Sequence, residues 1–76
     1  MAATAFVLIE TAVGKTKDVV NILKKMAGVK TVNTVTGPYD IIALIEADNL
    51  NDIGDLITGK IHEIEGISRT VTCLTV

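Results

Sequence analysis

The sequence predicts an α+β fold in which a four-stranded antiparallel sheet carries two helices on one face. Strand-like apolar runs alternate with two segments of helical periodicity, in the order β-α-β-β-α-β. A faint internal repeat supports this order, because the tripeptide Leu-Ile-Glu occurs at 8–10 and at 44–46, each time ahead of a helical segment. Seventy-six residues suffice for a single domain, 1–76. Two βαβ halves with right-handed crossovers, joined by a hairpin, form a ferredoxin-like sandwich.

The first half of the chain gives a strand, a helix and a second strand. Residues 5–10 form a strand that is apolar on both faces. The helix at 16–27 has apolar residues at i, i+3, i+4 and i+7, namely Val19, Ile22, Leu23 and Met26. Thr16 is its predicted N-cap, and Gly28 is its predicted C-terminal stop. Residues 29–36 are rich in Val and Thr and form the second strand.

The second half repeats the pattern after a Gly-Pro turn. The third strand spans 40–47, and Asn49 is placed to cap a second helix. The apolar residues of that helix step by three or four positions: Leu50, Ile53, Ile57, Ile61 and Ile64. Gly54 and Gly59 each cost the helix about 1 kcal/mol relative to alanine, and we interpret them as points of close packing. Residues 67–76 form the last strand.

The side of the sheet that faces away from the helices is predicted to be apolar as well. Both alternating sets of side chains within residues 41–45 are aliphatic, whereas the solvated face of a monomeric sheet is normally polar. Hydrophobic residues make up 49% of the chain and aromatic residues 3%, which is more aliphatic surface than so small a core needs. A bare apolar sheet is an association site. We therefore expect a homodimer in which two sheets pack face to face as a dimeric α/β barrel.

Composition argues against several classes of protein. A lone cysteine, Cys73, rules out an internal disulfide and predicts a reduced, cytoplasmic chain. No apolar run approaches the ~20 residues of a membrane span. The net charge is −2 and gives no basic footprint for nucleic acid. We therefore expect a cytoplasmic protein that makes no membrane contact and does not bind DNA directly.

Catalytic machinery is not evident in the sequence. His62, the only histidine, is interpreted as a solvated helix residue, and Cys73 as a buried, inert thiol. Neither has an evident partner for nucleophilic catalysis, and no Cys/His cluster has metal-ligand spacing. The scattered glycines do not form a phosphate loop. The expectation is a protein that is not an enzyme, with no catalytic residues, no metal and no cofactor.

The turn at 36–40, Thr-Gly-Pro-Tyr-Asp, is the most informative segment for function. Gly37 can adopt backbone angles closed to other residues and lets a ligand approach the main chain. Asp40 can hold the ammonium group of a ligand, or it can simply close the turn through the backbone. Taken alone, the residues favour the structural interpretation, because Gly, Pro and Asp are common turn residues.

Two segments of the chain resemble a known family. Residues 35–46 read VTGPYDIIALIE, and residues 63–72 read EIEGISRTVT. Together with the element order, they resemble the effector-binding domain of the Lrp/AsnC transcriptional regulators over essentially the whole chain. The resemblance implies dimers that assemble further into tetramers, octamers or decamers. It also implies small effectors, commonly amino acids, bound in clefts between neighbouring dimers.

The resemblance also implies a set of site residues. The family's Gly-x-x-Asp turn maps to Gly37 and Asp40, and Thr34 lies three positions earlier. The site region of the last strand maps to 71–73. The predicted ligand-binding residues are Gly37, Asp40, Thr34, Tyr39, Val71 and Thr72. In this interpretation Asp40 takes an α-ammonium group, backbone amides near Gly37 take a carboxylate, and threonine hydroxyls orient the side chain. Tyr39 also suits an interface.

Full-length family members carry an N-terminal helix-turn-helix domain, whereas this chain starts at its first strand. The sequence therefore predicts a stand-alone effector domain that modulates full-length Lrp/AsnC regulators by mixed assembly or ligand competition. One alternative is a structural oligomer with a vestigial pocket. Another is a small dimeric α/β-barrel enzyme, which the aliphatic strands disfavour. ACT domains share the strand order and bind amino acids, but they would place the ligand near 10–14 and pair their sheets side by side.

Overall fold

The computed structural model of this protein describes residues 2–76 and has the predicted β-α-β-β-α-β order. The elements are β1 (Ala3–Thr11), α1 (Thr16–Lys24), β2 (Val29–Thr34), β3 (Ile41–Ala47), α2 (Leu50–Leu56) and β4 (Ile67–Leu74). A π-helical segment, Ile57–Ile61, continues α2. Within the part of the chain that the structure describes, every helix is too short and too polar to span a membrane.

The four strands form one antiparallel sheet in the order β2-β3-β1-β4. β1 lies in the interior of the sheet, with Leu8 opposite Ile42 of β3 on one side and Val71 of β4 on the other. β2 and β4 are the two edge strands. This topology confirms the predicted ferredoxin-like arrangement.

One face of the sheet and both helices enclose the core. Alternate residues of β1 and β3 face the helices and are completely buried, as the period of two in a strand requires. The core residues are Ala5, Val7, Ile9, Val19, Leu23, Ile41, Ala43, Ile45, Ile53, Leu56, Ile57, Ile61 and Ile64. The prediction that both helices cover the same face is therefore confirmed.

The other face, called here the open sheet face, carries Phe6, Leu8, Ile42, Leu44, Val71 and Cys73. These side chains share a face because opposed residues of antiparallel strands point the same way. Phe6 is 43% exposed. Cys73 lies opposite Phe6 and is exposed. The prediction of a buried thiol is therefore wrong, since the strand register places Cys73 where no helix covers it.

Helix α1 starts at the predicted residue, but its N-cap and its C-terminal end differ from the prediction. It begins at Thr16, so the residue before it is Lys15, which makes no side-chain capping bond. The hydroxyl of Thr16 instead bonds to that of Thr11 at 2.6 Å. The helix ends at Lys24 rather than at residue 27, and its last turn tightens through a bond from the Lys25 N–H to the Ile22 carbonyl.

Helix α2 starts as predicted and ends differently. Asn49 Oδ1 accepts a hydrogen bond from the Asp52 N–H at 2.9 Å, which confirms the N-cap. The α-helix stops at Leu56, and the π-helical segment follows. A Cβ added at Gly54 or Gly59 would meet no atom within 4 Å. The interpretation of these glycines as points of close packing is therefore wrong.

Two glycine substitutions are expected to change stability in opposite directions. Gly66 has φ +102°, and a Cβ there would lie 2.9 Å from Lys15 Cβ. Gly66→Ala should lower the free energy of unfolding by about 1–2 kcal/mol or more, because it forces a side chain into the left-handed region and into a clash. Gly54→Ala, in open space within α2, should raise it by up to about 1 kcal/mol. Urea denaturation of both variants checks this pair, and equal effects would contradict it.

Candidate functional site

The turn between β2 and β3 is closed by its own backbone and open to solvent. β2 ends at Thr34 and β3 starts at Ile41, inside the predicted bounds, and the Val35 N–H donates to the Asp40 carbonyl at 2.9 Å between them. Gly37 has φ +123°, and nothing lies within 4 Å of a Cβ placed there. Glycine is therefore needed for the backbone angle and not for packing.

Asp40 ties this turn to the end of β1. Its N–H donates to the Ile9 carbonyl at 2.9 Å, and its Oδ2 accepts the Thr11 N–H at 2.8 Å. The carboxylate thus bonds to a distant strand rather than within its own turn. Within residues 2–76, its second oxygen, Oδ1, has no hydrogen bond.

Tyr39 connects the turn to β4 by contacting Arg69 at the end of the sheet. Arg69 Nη2 donates to the Tyr39 hydroxyl oxygen at 3.4 Å, and Arg69 Cζ lies 5.9 Å from the centre of the ring. The second distance is typical of a cation–π contact. Arg69 was not among the predicted site residues, because only the register of β4 against β1 brings it to the turn. The signal that was present is its place in the segment 63–72, which resembles the family.

The remaining predicted residues lie on different parts of the sheet. Thr34 is opposite Ile41 at the β2 edge, on the helix side, and is exposed. Thr72 is opposite Val7 at the β4 edge, also on the helix side and exposed. Val71 faces the other way, on the open sheet face. One chain therefore groups Thr34 with the turn and leaves Val71 and Thr72 at the opposite edge.

Two open depressions mark the surface near β4. The larger, of about 390 Å³, is lined by Lys15, Asp18, Asn21, Ile22 and Glu65. The smaller, called here the His62 pocket, measures about 300 Å³ and is lined by His62, Ile67, Ser68, Arg69 and Thr70. His62 is exposed, as expected, and its Nε2 lies 2.9 Å from the Thr70 hydroxyl. None of the six predicted ligand-binding residues lines either depression.

Solved structures of similar proteins share this fold. The crystal structure of FFRP-DM1 is 39% identical, with a TM-score of 0.94 over 97% of this chain and 99% of that one. A hypothetical protein of Pyrococcus horikoshii is 39% identical, with a TM-score of 0.92 over 100% of this chain and 90% of that one. A transcriptional regulator of Neisseria meningitidis, solved as a complex with L-Met, shares the fold at 12% identity and a TM-score of 0.88, over 97% of this chain and 49% of that one.

Curated proteins point to the same group. An HTH-type transcriptional regulator of Pyrococcus furiosus is 36% identical over 78 residues, which cover 99% of this chain and 52% of the regulator. This chain spans about half the length of the curated regulators it matches first. A homocitrate synthase of Sulfurisphaera tokodaii is 36% identical over 52 residues, 68% of this chain but only 11% of that enzyme. Residues 4–76 match the family model described as the Lrp/AsnC ligand binding domain. The chain belongs to the Lrp/AsnC ligand-binding domain family.

Proposed function

We propose that this protein is an amino-acid sensor that works without catalysis. It binds an amino acid or a similar small effector at the β2–β3 turn in the cytoplasm, and it modulates transcription through full-length Lrp/AsnC regulators. The observation that carries the proposal is the turn itself, where an exposed Gly37 at positive φ adjoins an anchored carboxylate. The Neisseria regulator with the same fold, solved with L-Met, supports an amino acid as the ligand class.

The turn offers groups for both ends of an amino acid. Asp40 keeps one oxygen on the Thr11 N–H and has the other for an ammonium group. The bare backbone at Gly37 allows a carboxylate to reach main-chain N–H groups, because no Cβ stands in the way. The Thr34 hydroxyl lies at the end of β2, just before the turn, and is exposed.

A complete site needs a second protomer. Val71 and Thr72 lie on the opposite edge strand from Thr34, so they do not reach the turn of their own chain. In this proposal Thr72, on the helix side of β4, lines a pocket whose turn comes from a neighbouring subunit, whereas the Val71 side chain lies on the paired open sheet face. An effector therefore sits between subunits and stabilises their assembly, since it binds only the assembled form.

The open sheet face is the surface through which two chains pair. Aliphatic side chains occupy it across β3, β1 and β4, and Phe6 stands 43% exposed at its centre. Pairing of two such faces buries apolar area that a separate chain leaves in water. The resulting dimers assemble further into a tetramer, octamer or decamer.

Two features of the comparisons support a role through full-length partners. The curated regulators contain this domain as about half of their length, so a shared assembly surface is available on them. FFRP-DM1 is matched over 99% of its chain, which supports the domain acting by itself. The confinement of the synthase match to 11% of that enzyme supports a regulatory rather than a catalytic part.

A thermal-shift panel of the twenty amino acids on the purified protein tests the proposal. An effector at a hundred times its Kd adds about 2.7 kcal/mol to the stability, which raises the Tm of a domain this small by roughly 10 °C or more. A shift with one or a few L-amino acids, absent with their D-enantiomers, is the expected result. No shift with any of them would favour an oligomerisation module without an amino-acid effector.

A further inference from the structure

The His62 pocket adjoins the proposed effector turn through the contact of Arg69 with Tyr39, but none of the six predicted ligand-binding residues lines it. It is lined by four residues of the edge strand β4 and by His62, which follows the π-helical segment. Its volume of about 300 Å³ matches the lower end of the range for small-molecule sites. Four of its five lining residues carry side chains able to donate a hydrogen bond.

The residues that line this pocket include a positive charge and no negative charge. Arg69 lines it, and no carboxylate does. Among residues 2–76 the ion pair within 4 Å joins Lys30 and Glu46, so the Arg69 guanidinium has no such partner there. Glu10 stands opposite Arg69 in the ladder yet stays outside that distance. The larger depression differs in this respect, because Asp18 and Glu65 accompany its lysine.

Neutral groups hold the two nitrogen-bearing side chains in place. Tyr39 contacts Arg69 through its hydroxyl oxygen and ring, which positions the guanidinium without cancelling its charge. The Thr70 hydroxyl lies 2.9 Å from Nε2 of His62 and fixes the imidazole on the pocket wall. A guanidinium that keeps further N–H donors beside its bond to Tyr39 is suited to a planar or tetrahedral oxyanion.

The backbone of β4 is irregular at the same place. Glu10 pairs with Arg69 and Thr11 with Ile67, so Ser68 is the extra residue of a β-bulge and has no partner in the ladder. Bulges of this kind turn a side chain out of the regular alternation and are frequent beside functional sites. Because β4 is an edge strand, a row of its backbone N–H groups also faces away from β1.

We propose that the His62 pocket binds a small oxyanion, a carboxylate or phosphate group, through Arg69, His62 and Ser68. Arg69 supplies the charge and paired donors, His62 supplies a second nitrogen donor, and the Ser68 hydroxyl at the bulge supplies a third contact. This site goes beyond the amino-acid site at Gly37 and Asp40, since neither residue lines the pocket.

Amide chemical shifts of the full-length chain test this proposal. Sodium phosphate and sodium acetate are titrated separately, each against sodium chloride at matched ionic strength. The expected result is a saturable shift at the amides of 67–70 with at least one of the two anions. The anion that saturates identifies which source of oxyanion the pocket accepts. Shifts that are linear, or equal in chloride, would overturn the proposal.

Three variants sharpen the test. Arg69→Gln should weaken binding of the anion by about tenfold or more, because a charge-assisted pair of donors is lost. His62→Gln keeps a side-chain partner for Thr70 and should weaken anion binding by about threefold, the loss of one hydrogen bond. Lys25→Gln removes one positive charge from the exposed far end of α1 and should bind like the parent. Equal affinity in Arg69→Gln and Lys25→Gln would overturn the site. The anion site does not depend on the amino-acid site, so these amide shifts are expected even if no amino acid raises the Tm in the thermal-shift panel.

Discussion

A protein that carries Ile42→Asp is expected to fold and to lose the proposed pairing of sheets, so that light scattering gives a smaller mass than that of the parent. The structure identifies which of two neighbouring isoleucines to change. Ile41 is completely buried beneath the helices, whereas Ile42 lies on the open sheet face opposite Leu8. The substitution therefore spares the core and places a carboxylate in the middle of the proposed interface.

The expected effect on the dimer Kd is large because each of the two chains places one new carboxylate in the interface. A twofold dimer buries both new carboxylates in an apolar contact, where an unpaired charge is strongly disfavoured. We expect the dimer Kd to rise by about 100-fold or more, which corresponds to about 2.7 kcal/mol. Multi-angle light scattering across a dilution series measures this change directly.

Two further variants keep the interpretation unambiguous. Asn51→Asp adds the same charge on an exposed first-turn position of α2 and should leave the mass unchanged. Phe6→Glu changes a side chain that is 43% exposed in the single chain, so it tests the same face with little risk to folding. A parent-like mass for both Ile42→Asp and Phe6→Glu would rule out pairing of the sheets through this face.

Asp40→Asn is expected to weaken binding of the amino-acid effector by ~10- to 100-fold while leaving the proposed dimer intact. An asparagine oxygen can still accept the Thr11 N–H, so the anchor of the turn survives. What is lost is the negative charge facing the ammonium group, and hydrogen bonds to charged groups contribute about 1.5–3 kcal/mol. Isothermal titration calorimetry with the amino acid from the thermal-shift panel gives the Kd.

Asp40→Ala separates anchoring from binding. Alanine removes the acceptor as well as the charge and leaves the Thr11 N–H without its partner, which should lower the stability by about 1–3 kcal/mol. Asp48→Asn, an exposed change after β3, serves as the control for loss of charge. If Asp40→Asn binds the effector as tightly as Asp48→Asn does, Asp40 has no part in the site.

Local patterns were enough to predict the fold. The alternation of aliphatic residues in 41–45 identified a strand with two apolar faces, and the stepping of isoleucines after Asn49 identified a helix with one buried stripe. Both patterns depend only on residues that are a few positions apart in the sequence. The π-helical segment escaped prediction, because a wider turn preserves the same stripe of buried residues at 57 and 61.

The site could be predicted only in part, because it depends on strand neighbours that are distant in sequence. Gly37 and Asp40 are close in the chain, and a turn was evident there. The contact of Tyr39 with Arg69 depends on β1 and β3 lying between β2 and β4. The same order separates Thr34 from Thr72. Cys73 was misplaced for a similar reason, since its exposure depends on register.

The interior position of β1 has a consequence for how the chain acquires its structure. β1 pairs with β3 and with β4, and β4 is the strand most distant from β1 in sequence. Pairings between strands so distant in sequence slow folding, because the entropy of closing a long loop is lost before the stabilising contacts form. One edge of β1 therefore stays unpaired until β4 has been synthesised. During that interval the exposed edge can pair with another chain, which makes the incomplete chain prone to misassembly.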